Sequence, residues 1–520
     1  MASHDPEKSA LEHPTTSQSP SLGPDDISPA HAHQDENYEL YKHSKEVDYD
    51  PAEAKRVLRK IDYRIIPILF VTYMLQYLDK NSLNFASVYG LQKGTHLHGQ
   101  DYSWLGMSLH LASLVIADEG IRFNLLFWIP VLSVSFWISA SEVANWEVLV
   151  VGYDWVGNHP HYYASVGALE ATVNPGFVLL MSMWYTSAEQ PLRLELYYCT
   201  NGIATMFGGL IGYAVGHITT GLQKWMYVFI IFGSISIAWG VVSLLVLPDL
   251  PSTAKFLTEP ERSIAVNRVA RNKQGVKNRH FSKYQAIQTV KDPKTWILFI
   301  MATGAQVPNS ALTSFTSIIV GSFGFSTLGT QYLQIPGGAV QFLALLFGGW
   351  VCTRWPNNTR CATMVFANCV CIIGAGLLVG LPSDNKWGRL VALWLCYFQG
   401  LGFSLSLTMV SSNVAGYTKK QLTGAVLFTG YCVGNIIGPQ TFRSSEAPGY
   451  HSAYIAMLVG YSVKLAAVIV LYIYMYRVNK SRDEEHSARG ELSEEEEREA
   501  IEKGMLDQTE IDNKGFRYIL

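Results

Sequence analysis

The sequence predicts an all-α membrane protein of nominally twelve spans in two six-helix halves. Three observations carry this expectation. Of 520 residues, 49% are hydrophobic and 16% are charged, against about 25% charged in a typical soluble domain. Apolar runs long enough to cross a ~30 Å hydrocarbon core, which takes about 20 helical residues, recur from residue 64 to residue 476. A polar gap over 249–294 divides them six and six, as expected of an inverted-repeat transporter with its site at the midplane.

Residues 1–50 are rich in Ser, Pro, His, Asp and Glu. They bury too little apolar surface to offset ordering, and a disordered tail is expected. The start of the chain has neither the basic nor the apolar region of a cleavable signal peptide. The first six-helix half is expected over 51–248, with spans near 64–88, 103–121, 123–143, 163–185, 195–217 and 224–247. Spans two to four are poorly defined. The second half, 295–477, has spans near 295–318, 328–350, 361–382, 389–411, 420–440 and 452–476. Residues 478–520, which include DEEH, EEEER and EIDNK, read as an acidic tail, disordered or loosely helical. The gap 249–294 holds ten basic and four acidic residues. By the positive-inside rule it faces the cytoplasm together with both termini.

Charged side chains at membrane depth cost roughly 2.5–3.5 kcal/mol each, so their presence singles out functional candidates. Span 1 carries Asp79, Lys80, Asn81 and Asn84. On a helix, Gln76, Lys80 and Asn84 share one face, whereas Asp79 and Lys80 diverge by about 100°. One of the pair is expected to meet a partner on another span. Lys80 would attract an anion and Asp79 would serve proton or gating chemistry; the plain alternative is a pair snorkelling at the interface. Span 4 carries Glu170 about ten residues into its apolar run, followed by Asn174 and the Pro175-Gly176 pair, which is expected to loosen the helix. Asn201 in span 5, Gln306, Asn309 and Thr313 around Pro308 in span 7, Gln334 and Gln341 in span 8, and Asn435 in span 11 complete the candidate substrate site. Pro308 is expected to break span 7 and to free backbone groups for substrate. For each amide singly, interhelical hydrogen bonding is the plainer reading; their concurrence favours a polar central cavity.

The seven cysteines form no CxxC pair and read as small buried residues. His96-x-His98 and His159-x-His161 lack companion carboxylates, so no metal site is expected. There is no nucleotide-binding loop, GxSxG or HExxH. The chain therefore reads as neither an ATP-driven pump nor an enzyme, and as using no cofactor.

Several segments resemble the fungal allantoate permease group, the anion:cation symporter branch of the major facilitator superfamily. They are YLDKNSLNFASVYGL in span 1, DYSWLG, GALEATVNPGFVLLMSMWYTSAEQPLR, FLTEPERSIAVNRVARNKQG, YQAIQTVKDPKTW, LQIPGGAVQ and YTKKQLTGAVLFTGYCVGNIIGPQTF. The resemblance implies the major facilitator fold and proton-coupled uptake of a small organic anion across the plasma membrane. Allantoate, ureidosuccinate, nicotinate and pantothenate are among the family's substrates. Asp79, Asn81, Asn84 and Glu170 match family positions, while Lys80 stands where an arginine is usual and lacks the bidentate fork.

Residues 107–166 depart from the family pattern. Asp118, Glu119 and Arg122 interrupt span 2, and matching resumes abruptly at Gly167. That abruptness points to a translated intron or a frame error, against plain divergence; a continuous transcript encoding the stretch would exclude it. The reading reached is a monomeric proton-coupled transporter of a small organic anion, in contact with membrane lipid and not with nucleic acid. The alternatives are an exporter of a secondary metabolite and a non-transporting sensor or defective paralogue.

Overall fold

The computed structural model describes residues 50–94, 102, 173–248, 250–252, 254–270, 272, 281–355, 359–487, 500–504 and 506–520. No strand occurs among the described residues. In chain order the helices are α1 (Pro51–Ser87), α2 (Leu91–Gly94), α3 (Val173–Trp184), α4 (Gln190–Tyr198), α5 (Thr200–Gly216), α6 (Lys224–Val246), α7 (Glu259–Ala270), α8 (Lys283–Lys291) and α9 (Pro293–Ser314). The second half continues with α10 (Thr316–Ser322), α11 (Thr327–Tyr332), α12 (Gln334–Arg354), α13 (Arg360–Gly380), α14 (Lys386–Cys396), α15 (Gln399–Asn413), α16 (Tyr417–Gln440) and α17 (His451–Ser487). Spans 2 and 3 of the expectation, and Glu170 in span 4, lie outside the described residues. Six stretches, five of them in the second half, are long and apolar enough to cross a membrane by length and composition. Their outer surfaces expose large apolar side chains such as Leu245, Leu343, Ile373 and Val459, as contact with lipid requires.

α1 begins well before its apolar run. Asp50 caps it, accepting from the Ala52 N–H at 3.0 Å, and Pro51 occupies the first helical position, where a missing N–H costs nothing. Its polar first turns are tied down by ion pairs. Lys60 pairs with Glu261 on α7, and Asp62 takes both Nε and Nη2 of Arg193 on α4 at 2.7 Å each.

The halves meet where backbones approach closely. α5 crosses α12 at two glycines: a Cβ on Gly202 would sit 2.3 Å from the Gly338 carbonyl, and one on Gly338 2.5 Å from the Gly202 carbonyl. Within the second half, Gly430, Gly434 and Gly438 recur every fourth residue along α16. Added Cβ atoms there would sit 2.5 Å from Phe299 O, 2.6 Å from Thr303 O and 1.9 Å from Ser310 Oγ of α9. Small residues permit such contact, and dispersion then holds helices together where lipid removes the usual hydrophobic drive.

Two expectations are corrected. α9 does not break at Pro308 but runs on to Ser314, and the chain leaves helical geometry at Phe315 (φ −120°, ψ 0°). The proline ring lies against α17 at a site with no side chain, since a Cβ on Gly460 would sit 2.9 Å from Pro308 Cδ. Packing between α16 and α17 thus accompanies a helix that continues through a residue costing about 3 kcal/mol in a free helix.

The acidic tail is the second correction, because its end is packed. Residues 506–520 lie against the ends of α9, α13, α15, α16 and α17. Glu510 is fully buried and bonds Lys294 at 2.7 Å and Lys419, which also pairs with Asp292 at 2.9 Å. Arg482 donates to the Phe516 and Glu510 carbonyls at 2.7 Å, Asn413 exchanges two hydrogen bonds with Ile519, and the Leu520 carbonyl accepts from the Arg360 N–H. Phe516, Tyr518 and Leu520 join the main core. The last fifteen residues contain the apolar side chains that the preceding acidic run lacks, and Glu510 completes a charge set that the span ends bury.

Candidate functional site

A cavity of about 60 Å³ lies where α1, α4, α5, α9, α12, α15 and α16 converge between the halves. That volume holds several waters. α1 lines it with Tyr73, Gln76, Tyr77 and Lys80, the i, i+3, i+4, i+7 stripe of one helix face. Lys80 reaches across the halves: its Nζ donates to the Tyr431 hydroxyl of α16 and sits 4.9 Å from that ring's centroid. Tyr431 stacks on Phe428 at 5.2 Å and leans on Phe403 at 5.5 Å, while Tyr73 meets Tyr198 at 4.7 Å. These rings make one wall aromatic.

Amides make the other wall. Gln306, Asn309, Asn201, Gln341 and Gln399 line the cavity. Asn435 stands behind two of them, donating to Gln306 Oε1 at 3.1 Å and accepting from Asn309 Nδ2 at 3.2 Å. Asn201 Oδ1 and Gln341 Oε1 are buried acceptors with no donor among the described residues. Leaving such atoms unpaired costs about 1–3 kcal/mol each, so the wall is arranged for a ligand that brings its own donors.

The other sequence candidates lie elsewhere. Asp79 points away from Lys80, as their angular separation requires, and accepts from Ser236 Oγ of α6 at 2.8 Å. Asn81 donates to the Tyr77 carbonyl and Thr313 to the Asn309 carbonyl, each within its own helix. Asn84 and Gln334 meet each other in a lock between halves. Asn84 donates to Gln334 Oε1 at 3.2 Å and accepts from the Ser317 N–H at 3.0 Å, and Gln334 donates to Ser317 Oγ at 3.0 Å. Ser317 opens α10 just past the break at Phe315, so Asn84 satisfies one of its orphan amide donors.

A second lock joins the halves towards the described chain end. Gln190 Oε1 accepts from Ser411 and Ser412 at 2.7 and 2.8 Å, Arg360 donates to the Ser187 carbonyl, and Glu195 of α4 accepts from Ser404 of α15. Hydrogen bonds between the halves thus join Asn84 to Gln334 and Ser317, and Gln190, Ser187 and Glu195 to α13 and α15.

Sequence reasoning passed over the aromatic wall, Gln399, Glu195 and Lys464. Aromatic rings in apolar spans carry no mark separating cavity from lipid. Lys464 did carry one, as a charge inside an apolar run, the criterion that singled out Asp79 and Glu170; Glu195, at the first position of span 5 beside Arg193, did not. Lys464, fully buried in α17, donates to the Gln399 carbonyl at 3.4 Å.

Comparison with known proteins gives this architecture a family. The model of the Major Facilitator Superfamily matches residues 162–439. An uncharacterized transporter of Schizosaccharomyces pombe is 34% identical over 476 residues, covering 90% of this chain and 88% of that protein. The allantoate permease of Saccharomyces cerevisiae is 29% identical over 505 residues, covering 94% and 90%. Among solved structures, a proton:xylose symporter bound to 6-bromo-6-deoxy-D-glucose shares the fold, with a TM-score of 0.61 at 12% identity over 80% of this chain and 96% of that one. Since the family model covers more than half of the chain and its relatives align along nearly all of it, the chain belongs to the Major Facilitator Superfamily, as a transporter that passes through the membrane several times.

Proposed function

We propose that this transporter takes up a small organic anion together with protons by alternating opening of its two halves. The observation that carries this reading is Lys80, the sole charged side chain lining the cavity among the described residues, held by a tyrosine of the opposite half. An incoming carboxylate replaces the Tyr431 hydroxyl as partner of the ammonium, a stronger charge-assisted bond. The substrate's hydrogen-bond donors meet Asn201 and Gln341, and its body lies on the aromatic wall. The allantoate permease among the relatives fits this chemistry, since allantoate is an anion rich in N–H donors. The excess of basic residues in 249–294 supports placing the termini in the cytoplasm, with uptake across the plasma membrane.

Asp79, one residue from Lys80 but turned to Ser236, is the proton-coupling group in this reading, with Glu170 as its companion. Asp79→Asn is expected to abolish accumulation driven by a pH gradient. Concentrative uptake that persists in this variant would remove Asp79 from the mechanism. The reading as a whole is tested by expressing the chain in uptake-deficient yeast that requires allantoate, nicotinate or pantothenate. Restored growth on one of them identifies the substrate, whereas no growth on any, with the protein present in the membrane, overturns organic-anion uptake.

A further inference from the structure

Glu195 is a carboxyl group buried between the halves with no charged partner among the described residues. It projects from α4 onto bare backbone of α12, where a Cβ on Gly349 would sit 2.8 Å from Glu195 Cβ. Both of its oxygens lie 2.7 Å from a single hydroxyl, Ser404 Oγ of α15. No Lys, Arg or His nitrogen lies within 4.0 Å of it among the described residues. The titratable neighbours are Tyr197, Tyr198 and Cys199 on its own span and Cys352 on α12. α1 adds Tyr73, which touches Tyr197 and Tyr198. α15 presents only the Ser404 hydroxyl. Arg360, at the start of α13, donates Nη2 to the Ser187 carbonyl and Nη1 to the Thr408 carbonyl, while its Nε has no partner among the described residues.

Counting hydrogens decides how this site is satisfied. Ser404 Oγ also lies 3.0 Å from the Gly400 and Leu401 carbonyls of its own helix. A serine hydroxyl has one proton to give and two lone pairs to receive. If Glu195 is ionised, Ser404 donates to one carboxylate oxygen, the other has no donor among the described residues, and a bare charge lies in a buried seam. If Glu195 carries a proton, its O–H donates to Ser404 Oγ and the serine O–H passes on to a helix carbonyl. Every donor is then used and no charge is left.

We propose that Glu195 is a proton-binding site of the transport cycle, loaded while the Ser404 seam is closed and emptied when it opens. Opening parts α4 from α15 and admits water; the carboxylic acid becomes carboxylate and its proton passes to water on that side. The bare carboxylate cannot re-enter the seam without a proton, because an isolated buried charge is costly. Closure of this lock therefore takes up one proton. The inference rests on the reading of the chain as a proton-coupled transporter, and it adds a site distinct from Asp79, at the lock and not beside the cavity lysine.

The test uses the full-length protein in lipid nanodiscs, without solute and with the proton as the only probe. Wild-type minus Glu195→Gln infrared spectra are expected to show the carbonyl stretch of a protonated carboxylic acid, shifted in Ser404→Ala and lost as pH rises. Spin labels at Ala188 and Arg354, exposed positions on opposite halves at this end, report the lock in a background with the exposed Cys369 replaced by serine. Their separation is expected to grow with pH in the wild type. In Glu195→Gln it should stay short, because the amide mimics the protonated acid. Absence of the acid band, its persistence at every pH, or the same pH response in both proteins would each overturn the proposal. Should Glu195→Gln fail to fold, the band shift in Ser404→Ala decides alone. No anion is present in these measurements, so they stand whether or not the organic-anion reading survives.

Discussion

Lys80→Met is expected to eliminate substrate binding while leaving the protein folded. Losing one member of a desolvated charge-assisted pair costs about 2–5 kcal/mol, which is roughly 30-fold to several-thousand-fold in affinity. Lys80 is half-buried and its contact is with a neutral tyrosine, so little stability depends on it. Lys80→Arg keeps the charge and adds a fork suited to a carboxylate; it should retain transport within about tenfold. Solute uptake into proteoliposomes, alongside the thermal midpoint of each variant, checks both expectations. Equal uptake by the methionine variant and the wild type would refute the assignment of the anion to this lysine.

Glu510→Ala is expected to have the largest effect on stability. Lys294, Lys419, Asp292 and Glu510 form a neutral cluster with side chains at most 1% exposed. Removing one carboxylate leaves two buried ammonium groups on one acid, and breaking a buried pair in this way costs about 3–5 kcal/mol. Deletion of residues 506–520 should cost at least as much, since it also uncovers the core beneath Phe516 and Tyr518. The cluster sets a pH dependence as well. Burial alone would raise the Glu510 pKa, but Lys294 and Lys419 outweigh it and hold the group down to about 2. Unfolded glutamate titrates near 4.3. A depressed folded value means that the stabilisation is complete above about pH 4.3 and is lost as pH falls towards 2. Thermal midpoints measured across this window should fall for the wild type and change less for Glu510→Gln. Parallel profiles would show that the cluster does not hold the tail.

The site was partly legible because polar groups in apolar spans stand out against their surroundings. Lys80, Asn201, Gln306, Asn309 and Gln341 were found that way and line one cavity. Asn84 and Gln334 gave the same signal but serve the lock between halves, because an amide in an apolar run reports only that a partner exists. Asn435 fell between these cases, behind the cavity and orienting two of its amides. The aromatic wall gave no signal, since Tyr431 and Phe403 have the composition of any lipid-facing residue.

The all-α class and the divergence of Asp79 from Lys80 followed from the sequence alone, because apolar composition and helix pitch are local constraints. The partners did not. That Lys80 meets Tyr431 351 positions along the chain, that α9 continues through Pro308, and that an acidic tail carries a buried Glu510 were decided by packing between distant segments. Each depends on a complementary surface, such as Gly460 for the proline ring or two lysines for one carboxylate, that exists only once the helices have assembled.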